Sequence, residues 1–149
     1  RVSFDRTTYN VLPFKFEAGT MNYVGAIGLG RALDYVNELG REEILQREKT
    51  LLAYATERLS AIKGLRIYGQ AAEKICTISF LLDNIHQYDT GMILDKLGIA
   101  VRTGTHCAQP VMDHYGIQGT VRASLCFYNT IEEIDALGTG IEKVIGMFS

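Results

Sequence analysis

The apolar residues of this chain change their spacing at Gly64, and that change constrains the fold more than any other feature. From Asn22 to Gly64 they recur at helical intervals. Beyond Gly64 they fall in short runs, with helical stretches between them. Val24, Ile27, Leu29, Leu33 and Val36 mark a first helix from about Asn22, with Thr20 or Asn22 as its cap and Gly40 as its stop. Ile44, Leu45, Leu51, Leu52, Tyr54, Ala55 and Leu59 mark a second over about 42–62. Strands are predicted at 65–68, 75–81, 99–102 and 120–127. Further helices are predicted at 88–97, with Asp89 as N-cap and Gly98 as stop, and in a short stretch opened by Pro110 and closed by Gly116. A last helix follows Thr130, where Glu133 completes a capping box. Residues 1–19 read as an extended arm with one or two short strands. Strands interleaved with helices, without a Gly/Ser linker or a repeat, predict an α+β fold: a small mixed or antiparallel sheet covered by helices on one face.

Composition narrows the function classes. The 149 residues are 47% hydrophobic and 21% charged, as in an ordinary globule long enough to bury a core without a disulfide or metal staple. A net charge of −2 argues against a nucleic-acid partner. No apolar run approaches the ~18 residues of a membrane span, so no membrane partner is expected. Three cysteines, an odd and sparse set, do not form a secreted disulfide framework, and a reducing cytoplasm is the expected location. The opening residues, Arg1-Val-Ser-Phe4, carry neither a signal peptide nor an initiator Met, which points to a fragment.

The densest chemistry lies in Arg102-Thr-Gly-Thr-His-Cys-Ala-Gln-Pro110, a loop between a strand end and a helix start. A thiol becomes a nucleophile where positive charge or a helix N-terminus stabilises its thiolate, and Arg102 with the helix opened by Pro110 offers both to Cys107. The alternative for Cys107 is a small buried apolar residue. Cys76 and Cys126, inside strand patterns, read as core. No metal site is expected, because His106, Cys107 and His114 match no common ligand spacing. His86 and His114 read as surface or helix-end residues. Strand alternation puts Arg122 and Ser124 on one face, with Val121, Ala123 and Leu125 on the other. A guanidinium there needs an anion, either a structural carboxylate or a substrate carboxylate gripped bidentately. Gly25-Ala-Ile-Gly-Leu-Gly30 lies within helical periodicity and reads as close helix packing rather than a nucleotide loop. Gly19-Thr-Met-Asn22, just before that helix, fits a phosphate site or an ordinary cap equally well.

The same loop resembles the R-T-G-x-H-C-A-x-P signature of group II cysteine desulfurases, the SufS/CsdB-like branch of the fold-type I pyridoxal-phosphate enzymes and of the class V aminotransferases. Phe16-Glu-Ala-Gly-Thr20, Ile27-Gly-Leu-Gly30, Leu65-Arg-Ile-Tyr-Gly69, Arg122-Ala-Ser124 and Tyr128-Asn-Thr130 resemble that family in the same order. The resemblance covers essentially the whole chain. It implies that residues 21–149 form the C-terminal small domain and residues 1–20 an arm reaching a cofactor phosphate. The motifs of the large domain, with its Schiff-base Lys, are not in this chain. It further implies Cys107 as the catalytic thiol that takes sulfur from L-cysteine or L-selenocysteine. Arg122 is then the carboxylate-binding residue, with Arg102 assisting and His106 as proton donor or orienter. Gly19 and Thr20 would contact the pyridoxal 5'-phosphate of the other subunit of a homodimer. A SufE/SufU-like sulfur-acceptor protein is the implied partner, and iron–sulfur cluster assembly or other sulfur transfer the implied use. Thr105 departs from the pattern, standing where many members carry a second His. Two other readings stay open: a related class V aminotransferase or lyase, and a stand-alone sulfur-relay or interaction domain without catalysis.

Overall fold

The computed structural model describes residues 1–148. They divide into two compact units, Arg1–Arg41 and Glu42–Ser149. In the first, the arm pairs only through an isolated bridge between Val2 and Thr7, and Phe14–Phe16 make one 3-10 turn, so the expected short strands reduce to a single pair. Helix α1, Tyr23–Leu39, is capped by Asn22, whose Oδ1 accepts from the Gly25 amide at 2.9 Å. It stops at Gly40, which holds φ +86°. No residue of α1 is buried. Gly28 and Gly30 face open space, so the close packing expected of the glycine run is not made within this unit.

The second unit holds α2 (Arg41–Ser60, all but its first residue), β1 (Leu65–Tyr68), β2 (Thr77–Leu82), α3 (Gln87–Lys96), β3 (Arg102–Gly104), α4 (Gln109–Tyr115), β4 (Thr120–Ser124) and α5 (Ile131–Met147). The four strands form one antiparallel sheet in the order β1-β2-β4-β3. This is the predicted α+β class. Ile67, Ile78, Phe80, Leu82, Val121 and Ala123 give the sheet one apolar face. Against it pack Leu51, Ala55 and Leu59 of α2, Leu94 of α3, and Ile134, Leu137, Ile141 and Val144 of α5. The spacing i, i+4, i+8 in α2 is a single helical stripe. Helices α2 and α5 are also joined by polar contacts. The Tyr54 hydroxyl donates to Asp135 at 2.8 Å, and Arg58 pairs with Glu142 at 2.9 Å.

Several element ends differ from the sequence reading. Ile75 is exposed and its carbonyl accepts from Thr77 N, a turn that delays β2. Ile99 and Val101 pack against the core instead of pairing, so β3 begins only at Arg102. Strand β4 stops at Ser124, because the Cys126 amide donates to Asn129 Oδ1 and closes a turn. Cys126 is therefore half-buried beyond the strand rather than a core residue. Helix α3 is capped by His86, whose Nδ1 accepts from Tyr88 N, while Asp89 sits in the first turn. The Thr130–Glu133 capping box forms as predicted.

Glycines in α5 differ in the room they have. A Cβ at Gly140 would lie 2.5 Å from Ile99 Cδ1 and 3.0 Å from Leu94 Cδ2, whereas one at Gly146 would meet nothing. Gly140→Ala should therefore lower stability by about 1–3 kcal/mol through overpacking. Gly146→Ala should leave it unchanged or raise it by up to ~1 kcal/mol through helix propensity. Denaturant titration of both variants checks the contrast.

Candidate active site

The sheet's second face is polar. Directly opposed residues share a face, and one row crosses all four strands: Tyr68 opposite Ser79, Ser79 opposite Arg122, and Arg122 opposite Arg102. Two guanidinium side chains thus stand on adjacent strands at directly opposed positions. Among the described residues, no carboxylate forms an ion pair with either. Arg122 Nε is buried and bonds to nothing. Like charges so placed destabilise a sheet, and neither Arg sheds its proton. The arrangement suits an anion from outside.

Strand β3 runs from this row into the loop that carries Cys107. The Ala108 amide donates to the Thr105 carbonyl at 2.9 Å, and the two residues between them, His106 and Cys107, have φ +55° and +56°. That is a tight turn of the type I′ kind, normally made by Asn-Gly. Two non-glycine residues in the left-handed region cost of order 1–3 kcal/mol each. The turn puts the Cys107 thiol on the surface, which removes the buried apolar reading of this residue. Helix α4 follows at once, with no side-chain cap.

The His106 ring lies across Thr120 of β4. Its Nε2 is 3.2 Å from the Thr120 carbonyl oxygen and 3.0 Å from Oγ1. Its Nδ1 is buried without a partner. Burial holds the imidazole below its ordinary value, and the charges of Arg122 and Arg102 push the same way, against the Thr120 carbonyl bond. His106 is thus a neutral imidazole near pH 7. Between α4 and the polar face lies a cavity of about 170 Å³ lined by Tyr68, Ser79, Met112, Tyr115 and Thr120, among others. A larger space, about 380 Å³, lies at the other end of β4 around Ser124, Tyr128 and Glu133 and holds none of these groups.

The resemblance joined Cys107, His106, Arg102 and Arg122; the sheet opposes Arg102 to Arg122 and sets His106 against Thr120, with Cys107 next to His106 in the turn. It missed Thr120 and Ser79, because register and a contact across 14 residues leave no local signal. Gly19 and Thr20 belong to the first unit. Gly19 has φ +79° with open space about it, and the Thr20 hydroxyl and amide have no hydrogen-bond partner among the described residues. Cys76 is chemically different from Cys107. It is buried, its thiol donates to the Glu48 carbonyl at 3.3 Å, and burial pushes it up to about 11.

A model of the aminotransferase class-V family matches residues 1–137. A probable cysteine desulfurase of Xylella fastidiosa is 49% identical over 143 residues, 96% of this chain and 34% of that protein. A cysteine desulfurase structure from Thermococcus onnurineus superposes with a TM-score of 0.85 at 40% identity, over 98% of this chain and 37% of that one. The S-sulfonic acid form of the cysteine desulfurase CsdA from Escherichia coli superposes with a TM-score of 0.86 at 33% identity, over 99% of this chain and 36% of that one. The chain spans about a third of the length of the curated relatives it matches. No described helix is long and apolar enough to cross a membrane.

The three thiols should react at different rates. Limited alkylation near pH 8, read by peptide mass spectrometry, should label Cys107 first, Cys126 later and Cys76 last. Equal labelling of Cys76 and Cys107 in the folded chain would contradict the geometry.

Proposed function

The chain belongs to the aminotransferase class-V family, and from that membership we propose that it is the C-terminal part of a pyridoxal-phosphate-dependent cysteine desulfurase. In this reading residues 21–149 are the small domain, and residues 1–20 are an arm toward a cofactor phosphate. The observation that carries it is the opposed pair Arg102 and Arg122, without a carboxylate of its own, beside a turn that exposes Cys107.

Each group has a task. Arg122 grips the carboxylate of L-cysteine, and Arg102 adds a second positive charge beside it. Arg serves better than Lys here, because its planar fork matches the carboxylate and adds no amine to compete for an aldehyde. Cys107 attacks the substrate sulfur. A sulfur–sulfur bond forms, the substrate's carbon–sulfur bond breaks, and the carbon takes a proton, giving L-alanine and a Cys107 persulfide. The sulfur gives up two electrons and the substrate carbon keeps them, becoming the methyl group of alanine, so no outside oxidant is needed. His106, neutral and anchored on Thr120, orients the turn. Pyridoxal 5'-phosphate, when bound, supplies the electron sink for breaking the carbon–sulfur bond. Gly19 and Thr20 would hold the phosphate of the cofactor in the other subunit of a homodimer, through the free Thr20 hydroxyl and amide. A SufE/SufU-like acceptor protein in the cytoplasm would take the sulfur from Cys107, which its exposure permits. L-Selenocysteine fits the same carboxylate grip.

Two variants of the holoenzyme test the roles. Cys107→Ala should form no alanine from cysteine while keeping the cofactor; undiminished turnover would refute the desulfurase assignment and favour a related lyase or aminotransferase. Arg122→Lys should raise KM for cysteine roughly 10- to 100-fold, the loss of one charged bidentate grip. A wild-type KM would remove the carboxylate role from Arg122.

A further inference from the structure

Among the described residues only two buried side-chain nitrogen or oxygen atoms lack a hydrogen-bond partner: His106 Nδ1 and Arg122 Nε. Native proteins rarely leave such atoms alone, so each calls for a physical reason. Their neighbourhood supplies one. Thr120 and Arg122 are two apart on β4, on the same face, and the His106 ring rests on Thr120. Thr120 itself is 1% exposed, so the ring's anchor is fixed in the interior.

The tautomer of His106 follows from its partners. A backbone carbonyl can only accept, so the nitrogen facing the Thr120 carbonyl carries the proton. Nε2–H donates to that oxygen and to Oγ1 together. Nδ1 is then a bare lone pair. Arg122 Nε, by contrast, is always a donor. The two orphaned atoms are chemical complements, one acceptor and one donor, held by neighbouring positions of the same strand.

We propose that Thr120 is a positioning residue: its carbonyl fixes the Nε2–H tautomer of His106 and its hydroxyl holds the ring in place, so that Nδ1 accepts from one water that in turn accepts from Arg122 Nε–H, and the guanidinium is aimed. With Nε so engaged, the two terminal nitrogens of Arg122 are left to face an incoming carboxylate side by side. The same anchor holds the His106 end of the strained turn, so the thiol and the carboxylate grip are set by one residue that touches neither. A protonated His106 could not accept this bond, and its lowered pKa keeps it neutral near pH 7. Thr120's use in catalysis rests on the desulfurase reading; the hydrogen-bond arrangement does not.

The arrangement is read by nitrogen-15 NMR of the full chain. The His106 ring should show a protonated Nε2 and an unprotonated Nδ1, and Arg122 Nε–H should exchange with water more slowly than the exposed Arg66. Thr120→Val keeps the backbone carbonyl and removes only the hydroxyl, so it should retain the Nε2–H tautomer, loosen the ring and speed Arg122 Nε–H exchange. Thr120→Ser should restore the slow exchange. A protonated Nδ1 in the wild type, or fast Nε–H exchange there, overturns the proposal even if Thr120→Val fails to fold. In the holoenzyme, Thr120→Val should raise KM for cysteine about 3- to 10-fold with a smaller change in kcat, and Thr120→Ser should recover it. Altered NMR signals with no turnover in any form would sink the desulfurase reading alone. Unaltered signals in an active enzyme would sink the role of Thr120 alone.

Discussion

Two arginines opposed on neighbouring strands, with no carboxylate among the described residues paired to either, are the constraint around which this unit is arranged. Neither can lose its proton, and like charges facing each other on a sheet repel. Every other Arg with an ion pair among the described residues has found it on a helix: Arg31 with Glu38, and Arg58 with Asp135 and Glu142. The sheet holds this repulsion because its other face is a continuous apolar layer, with Phe80 and Val121 fully buried beneath three helices. The core stabilises; the polar face is left free for an anion.

The turn at Thr105–Ala108 adds a second tension. Two consecutive left-handed residues, neither of them glycine, are unfavourable in isolation. What offsets them is local. The 105–108 backbone bond closes the turn, the His106 ring is tied to Thr120, and α4 begins at once behind it. The result is an exposed thiol on a tied turn that follows a short strand. In the proposed reaction a sulfur that meets a substrate and then an acceptor needs both exposure and a defined starting position, and an exposed thiol on a tied turn suits both.

Much of this was legible in the sequence, and the rest was not for identifiable reasons. The Thr130–Glu133 box and the stop at Gly40 are local chemistry, readable within a few residues. Cys107, His106 and Arg102 lie within six residues, so their density was visible. The pairing of Arg102 with Arg122 depends on strand register, which the sequence does not state. Strand ends were misplaced where side chains competed with the ladder. Asn129 takes the Cys126 amide and ends β4 early, and Ile99 fills space beside Gly140 instead of pairing. His86 displaced Asp89 as the cap of α3 because a ring nitrogen reached the Tyr88 amide first. Thr120 gave no signal at all, since its meaning lies in a ring 14 positions earlier.

The central claim is that sulfur passes through the side chain at position 107. Mixing the cofactor-loaded enzyme with cysteine in the absence of an acceptor, quenching with an alkylating agent and mapping the peptides tests it most directly. The account predicts one added sulfur atom on the peptide bearing Cys107, lost on treatment with a reductant and matched by one alanine per site. Alanine released while that peptide keeps its original mass, or the added sulfur found on Cys76 or Cys126 instead, would contradict it.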